Sequence, residues 1–404
     1  MSTALTTPTS SPMATAAVLA AIDEAAPRLA ALAPEAERLG RLPDESAAIL
    51  RRTGLMRMLQ PKAWGGAEAH PVDYIEATLA AARSGCGAAA WVGGVVGLHP
   101  WELGVMSPQA QEEVWGADQD TWIASPYVAL GRARRVDGGF VLTGHWYFSS
   151  GSDHADWAHL GGLVVDDDGE PIPGSDHHFL VPKGDFEIVP GSWDTIGLRG
   201  SGSNDVVVDE RFVPTHRVLE YATVVDGTAA AAVGQQDSAL YKMPWFVLFG
   251  NAISAAVVGI CEAALDATLA YQRERSNVFG TRQSQDSFTL PSIGEAASDI
   301  RASRLQVIDN VRRVHEVLER GEVPTIAMRA EARRDQVRAS WRAVAAVDQL
   351  FARAGGNSIR SDQVLQRLWR DAHAGLNHAV NIPGGAYQAA ALTQMGLDPE
   401  GAVL

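Results

Sequence analysis

The feature that most constrains this chain is a change in hydrophobic periodicity that happens twice. Between residue 122 and about residue 218 the sequence runs in short segments rich in Val, Ile, Phe and Trp, separated by the turn signals DGG, DDDGEP and PGS. On either side, apolar residues recur at helical spacing. A segment patterned for a period of two cannot bury one face as a helix, so the middle of the chain is a β region and its flanks are helical. The predicted strands are residues 132–136 paired with 140–143 as a hairpin, then 158–165, 177–181 and 206–213. Upstream, VLAAIDEAAPRLAALAPEAERLG and PDESAAILRRTGLMRML read as helices, the second starting where Pro43 is followed by the acidic pair Asp44 and Glu45. Downstream of about residue 241, four long helical segments predict a bundle. The fold class is α+β and mostly α: a disordered tail over 1–16, a helical domain over 17–118, a β domain over 119–222 and a helical bundle over 223–404.

Composition removes several classes of function. The 48 acidic against 33 basic residues leave a net charge of −15, which repels nucleic acid and anionic membranes. No run approaches about 18 uninterrupted apolar residues, so no membrane span is expected. The first basic residue is Arg28, which leaves the Ser/Thr/Pro/Ala-rich start without the marks of a secretory signal. Cys86 and Cys261, set among small and apolar residues, read as separate buried thiols and point to the cytoplasm.

The motif inventory excludes more. GLRGSGSND (197–205) lacks the third glycine of a dinucleotide fingerprint and runs into a strand rather than a helix. Phosphate-loop, HExxH, CxxC and GxSxG patterns are absent from the sequence. His177 and His178 point to opposite faces of a strand, and His373 and His378, read as one helix, diverge by about 140°. Neither pair is a metal-ligand set. Asp166, Asp167 and Asp168 before Gly169 read as a hairpin turn rather than a calcium loop.

Three polar clusters remain, one in each region: VGLHPWE around His99, WYFSSGSDHADW (146–157) and LWRDAHAG (368–375). With FSSGSDHADW, IGLRGSGSNDVVVDERFVP, RSNVFG and ARAGG followed by WRDA, the whole chain after the tail resembles the acyl-CoA dehydrogenase fold, whose β domain is barrel-like. LQPKAWGG, QEEVWG, YKMPW and ARRDQVRA narrow the resemblance to the oxygenase components of two-component flavin-dependent monooxygenases, most of all those that hydroxylate phenolic secosteroids. Many acyl-CoA dehydrogenases carry a catalytic glutamate eight residues after the aspartate of the Arg-Asp-Ala motif. Here that position is Ala379.

The resemblance implies a mechanism. Reduced flavin, FMNH2 or FADH2, arrives from a separate NAD(P)H-dependent reductase and reacts with O2 to give a C4a-hydroperoxide that hydroxylates a phenol ortho to its oxygen. His373 is then the base that draws off the phenol proton, with Trp369 and Asn377 on its helix face. Ser149 and Ser150 are implied at the flavin N5 edge, with Phe148 or its neighbours Trp146 and Tyr147 against the ring. His99 is implied on the substrate side, and Gly200 and Ser201 in the second flavin-contacting motif. Arg275 and Phe279 are implied to reach the flavin of a neighbouring subunit, which makes the assembly a homotetramer, a dimer of dimers. From the residues alone, His373 reads first as a core histidine, a reading that the resemblance reverses, and Arg275 as a solvated helix-end cation. N- or S-oxygenation, a dehydrogenase with a relocated base, and a noncatalytic flavin-binding partner remain as alternatives.

Overall fold

A computed structural model describes residues 15–276, 280, 282–402 and 404. Six helices come first: α1 (Thr15–Leu39), α2 (Asp44–Thr53), α3 (Pro71–Ala82), α4 (Gly87–Val96), α5 (His99–Leu103) and α6 (Pro108–Trp115). The strands are β1 (Ile123–Ala124), β2 (Gly131–Val136), β3 (Gly139–Ser149), β4 (Trp157–Val165), β5 (Pro171–Pro182), β6 (Glu187–Ile188), β7 (Asn204–Pro214) and β8 (Val218–Glu220). Two short helices, α7 (Tyr221–Val225) and α8 (Ala229–Ala232), lead to α9 (Trp245–Glu274), α10 (Thr289–Glu319), α11 (Ile326–Ala352), α12 (Val364–Leu376) and α13 (Pro383–Gln394). Residues 1–14 lie outside the described residues, and Thr15 and Ala16, expected in the tail, already belong to α1.

Local chemistry explains several boundaries. Pro43 precedes α2, Asp44 and Glu45 occupy its first turn, and Gly54 ends it at φ 81°, a conformation that penalises any residue with a Cβ. The expected aspartate turn is present: Asp166 Oδ1 accepts from the backbone N–H groups of Asp168 and Glu170 at 3.0 and 2.9 Å.

The strands follow the order β6-β7-β3-β2-β4-β5-β8, with β1 added in parallel to β4. The sheet curls around its own core, to which β2, β3, β4, β5 and β7 all contribute. Trp146 lies at the centre of that core, fully buried, its indole N–H donating to the Gly161 carbonyl at 2.7 Å. A Cβ on Gly131 or Gly144 would fall 2.6 Å from its ring. Trp146 therefore packs the β core and does not reach the outer face where a flavin would lie, contrary to the expectation. Alternation along β3 decides this, because Trp146 and Tyr147 must point to opposite faces.

The helical parts are not separate bodies. One continuous hydrophobic core runs from Val18 in α1 through α3 and α4 to α9, α11 and α12. At its axis is α9, packed by α3, α4, α10, α11 and α12. Among the described residues it is the one helix long and apolar enough to cross a bilayer, and 89% of its apolar window is buried by protein. It is a core helix, and its apolar faces are covered by its neighbours.

Replacing Trp146 by Ala is expected to lower the unfolding free energy by about 3–5 kcal/mol in urea titrations. Trp146→Phe should keep flavin affinity while losing stability. Loss of flavin affinity with stability intact would return Trp146 to the binding site.

Candidate active site

The strand end that carries Ser149 and Ser150 is irregular for a reason visible in its pairing. Between Trp146 and Ser149 the register of β3 with β7 shifts, and Tyr147 and Phe148 both turn outward. Phe148 adopts φ 69° and is 65% exposed, with its ring centroid 6.1 Å from that of Trp193. A bulky residue in the left-handed region is strained by about 1–3 kcal/mol. The strain sets a flat aromatic edge on the surface beside two buried hydroxyls.

Those hydroxyls differ. Ser149 Oγ is buried without a hydrogen-bond partner. Ser150 Oγ accepts the Trp91 indole N–H at 3.0 Å and shares a hydrogen with Ser203 Oγ at 2.7 Å; Ser203 Oγ in turn contacts Ser201 Oγ at 2.7 Å. An orphaned hydroxyl, a hydroxyl ladder and an exposed aromatic edge fit the polar rim and face of a flavin ring, so Phe148, Ser149 and Ser150 are the residues suited to hold one.

The loop 197–203 is fastened from α12. Asp371 Oδ1 accepts the Leu198 backbone N–H at 2.6 Å, and Leu198 sits at φ 52°. Gly197 lies so close to the Arg370 carbonyl that a Cβ there would stand 2.1 Å from it. Gly200 packs against α1 and α4, where a Cβ would meet Ala36 at 2.6 Å and Ala88 at 3.0 Å. Its role is close packing rather than an open backbone face. Ser201 supports Ser150 through Ser203 and through its carbonyl, which accepts the Gly151 N–H at 2.9 Å.

Of the two C-terminal histidines, His378, to which no role was given, stands against Trp91. His373 Nε2 pairs with Asp348 at 2.8 Å, beside Trp369, whose indole N–H donates to the same carboxylate oxygen at 2.7 Å. This is a lateral contact between α12 and α11. α12 ends at Leu376, so His378 is off the helix and caps the following turn. Its ring stands edge-on to Trp91 with centroids 5.7 Å apart and to Phe249 at 5.8 Å. Gly375 permits this approach, since a Cβ there would lie 3.0 Å from the Trp91 ring. His378 is the histidine that the fold brings to the Ser150 cluster.

The tautomer of His378 follows from its backbone contact. Nδ1 accepts the Val380 N–H at 3.3 Å, which leaves the ring proton on Nε2. Burial, and then the Arg333 charge, hold its pKa down to about 4, so the ring is neutral at working pH and offers an N–H donor.

His99 is fully buried and both its nitrogens are engaged: Nδ1–H donates to the Ile123 carbonyl and Nε2 accepts from Ser125 Oγ at 2.8 Å. It is a structural histidine with no nitrogen left for a substrate, contrary to the expectation. Burial lowers its pKa to about 3. Beyond it lies a polar cluster that the sequence reading did not identify. Glu102 is fully buried and bonded to His178 at 2.7 Å, with His159 at 3.7 Å; burial would raise its carboxyl, but these histidines hold it down to about 2. The sequence signal was a lone acid inside the apolar run LHPWELGVM. Tyr127 covers this cluster, 4.7 Å from His178, and meets Trp245 at 5.1 Å; Trp245 stacks on Phe249 at 4.2 Å. An aromatic wall thus runs from Tyr127 through Trp245 and Phe249 to His378.

Arg275 bonds the Ala354 carbonyl and lies over the Tyr271 ring at 5.4 Å, so within one chain it braces the segment after α11. Phe279 lies outside the described residues. Ala379 is exposed in the turn after α12 and supplies no carboxylate. Cys86 and Cys261 are buried free thiols, as expected.

Burial pushes Asp371 up to about 6, above the roughly 3.9 of an unfolded aspartate. The folded state therefore holds a proton between these values, and the associated stability is present at low pH and lost as pH rises through about 4 to 6. Asp371→Asn keeps the acceptor for Leu198 and should be more stable than wild type at pH 7.5, with the advantage vanishing near pH 4. Asp371→Leu lacks the acceptor and should lose about 1–3 kcal/mol. Thermal unfolding across this range checks the order; Asn below Leu at pH 7.5 would contradict it.

Comparison with known proteins agrees with this architecture. Residues 251–383 match the family described as acyl-CoA dehydrogenase, C-terminal domain. The chain is 46% identical to a pigment production hydroxylase of Rhodococcus erythropolis, over 91% of this chain and 93% of the relative. It is 43% identical to the flavin-dependent monooxygenase oxygenase subunit HsaA of Rhodococcus jostii, over 93% and 97%. The structure of XiaF from Streptomyces sp. in complex with FADH2 and glycerol superposes with a TM-score of 0.90 at 27% identity, covering 96% of this chain and 98% of that one. Helical, β and helical regions in this order, with these relatives along nearly the full length, place the chain among the oxygenase subunits of flavin-dependent monooxygenases built on the acyl-CoA dehydrogenase fold, and it belongs to that family.

Proposed function

We propose that this oxygenase hydroxylates a phenol at the carbon ortho to its oxygen, and that His378 rather than His373 handles the phenolic oxygen. The observation that carries the reading is the placement of the His378 ring against Trp91, whose indole is bonded to Ser150. Bound reduced flavin, delivered by a separate reductase, would supply the two electrons that activate O2, one atom of which enters the phenol ring while the other leaves as water.

The chain's residues do the remaining work. Ser149 and Ser150 meet the polar edge of the flavin, and Phe148 supports its face. The wall of Tyr127, Trp245 and Phe249 takes a flat apolar substrate, a phenolic steroid fragment or another polycyclic phenol, and keeps water away. His378 donates its Nε2–H to the phenol oxygen. A donor there favours the phenolate, which is the more electron-rich ring and the better nucleophile, and the phenol proton leaves to solvent on binding. The expected base becomes a donor because Val380 already occupies Nδ1.

The exposed edge formed by Phe148, Tyr147 and Ile196 suits cover by a second copy of the chain, in a dimer of dimers that brings Arg275 of a neighbour toward the flavin.

The test supplies reduced flavin and O2 to the protein with a panel of phenols, and measures hydroxylated product against H2O2. His378→Ala should lower product by about 10²-fold, with O2 consumption diverted to H2O2. His378→Gln, whose amide donates but takes up no proton, should recover much of the loss, and His373→Ala should behave like wild type. kcat/KM should rise with pH along the ionisation of the phenol, so that a more acidic phenol moves the rise to lower pH. Unchanged hydroxylation in His378→Ala, or its abolition in His373→Ala alone, would overturn the reading.

A further inference from the structure

The segment ARRDQVRA of α11 places Arg333, Gln336 and Ser340 on one helix face, at spacings of three and four residues, and all are buried. Arg333 donates through Nη1 to Gln336 Oε1 and to the Val380 carbonyl. Gln336 Nε2 donates to Asn381 Oδ1 at 2.8 Å and to Ser254 Oγ on α9, and Ser340 Oγ donates to the same Ser254 oxygen at 2.7 Å. The other groups of Asn381 are also taken. Its amide donates to the Gly375 carbonyl at 3.0 Å, and its own carbonyl accepts the Trp341 indole N–H at 2.8 Å. Val380 and Asn381 belong to the turn that His378 opens, so α11 and α9 hold that turn through a buried polar network. Arg333 is its costly member. Among the described residues no carboxylate pairs with the guanidinium, and burial alone lowers its pKa to about 10, which leaves it a cation at working pH. The Phe246 ring, 5.6 Å from Cζ, offsets part of that cost. A buried cation without a counter-ion adds nothing to stability that an apolar side chain of similar volume would not supply.

We infer that Arg333 is a positioning residue of the oxygenation site: it fixes the turn that carries His378 in the geometry that presents the Nε2–H. The inference rests on the proposed role of His378. Arg333 holds Val380 by its carbonyl, and the N–H of the same residue occupies His378 Nδ1, which is what leaves the ring proton on Nε2. A displaced Val380 would free Nδ1 and with it the tautomer. The charge acts in the same direction as the contact. Trp91 from α4 and Phe249 from α9, which pack on the imidazole, are neutral, and Arg333 is the charged group that opposes protonation of the ring beyond the effect of burial. Arg333 touches neither flavin nor phenol in this account; it works through the histidine.

The test supplies reduced flavin, O2 and a phenol to the full-length protein and reads hydroxylated product against H2O2 in Arg333→Met, Arg333→Gln and Arg333→Lys. R333M and R333Q should bind flavin as wild type does yet lower product by roughly tenfold or more, with O2 diverted to H2O2. R333K, which keeps the charge and a donor, should restore most of the loss. Circular dichroism checks each fold, and R333Q, which retains a donor, serves where R333M unfolds. Because Arg333 acts through His378, adding R333M to His378→Ala should lose no more product than His378→Ala alone. Histidine-labelled protein gives a second reading by NMR, with the His378 signal assigned by its absence in His378→Gln. That imidazole should protonate at higher pH in R333M and R333Q than in wild type, because a positive neighbour that opposed the cation is gone, and near the wild-type pH in R333K. Unchanged product in both R333M and R333Q, or losses that multiply in the double variant, would overturn the inference. A silent His378→Ala would overturn the proposed role of His378 instead; an unshifted titration in R333M and R333Q would then overturn the inference as well.

Discussion

The hydrogen bond from the Trp91 indole to Ser150 Oγ is the contact on which the site depends. Trp91 belongs to α4, in the core shared by both helical regions, while Ser150 directly follows β3 of the curled sheet. The bond joins a helix to the end of a strand at a seam that shared apolar packing also holds together. Everything placed by Trp91 follows: the Ser150–Ser203–Ser201 ladder on one side and the His378 ring on the other. Two glycines make room, Gly375 beside the indole and Gly151, at φ 72°, beside Val92 and Val96. Asp371 holds the loop behind the serines from α12, the helix whose end also releases His378. A single cluster thus ties α4, the β3 end, the loop before β7 and the end of α12.

The electrostatics of the interior follow a simple rule. His99, His159 and His378 are held neutral because burial disfavours the cation. Glu102 is held low chiefly by His178, bonded to its carboxylate at 2.7 Å. Tyr127 beside it is pushed well above the ordinary phenol range, by burial and then by the Glu102 charge, and so keeps its proton. The aromatic wall of Tyr127, Trp245 and Phe249, proposed above to face the substrate, is therefore uncharged over a charged carboxylate one layer deeper. That suits a site that must bind a flat apolar ring and leave a single N–H donor at its rim.

Much of the fold was legible in the sequence because it rests on periodicity. The switch from period 3.6 to period two and back located the sheet, and the four long helices appear as α9 to α12. The short strands β1, β6 and β8, of two or three residues each, carry too few to show a period. Ser149 and Ser150 were singled out by the resemblance, and the structure buries both at the end of β3. His378 was not: treating DAHAGLNHAV as continuous helix turned it away from His373, and only the observed helix end at Leu376 shows which histidine turns toward Trp91. Trp146 was misplaced because a motif covers adjacent residues, whereas a strand sends neighbours to opposite faces. Glu102 and its histidines come from α5, β4 and β5, and no local pattern announces a cluster assembled from such distant segments.

The most direct measurement is a crystal structure of the protein with oxidised flavin and a phenol bound together. The account predicts the isoalloxazine over Phe148 with its polar edge at Ser149 and Ser150, and the phenol oxygen within about 2.6–3.2 Å of His378 Nε2. A phenol oxygen seated on His373, or one that leaves His378 without contact, would contradict it.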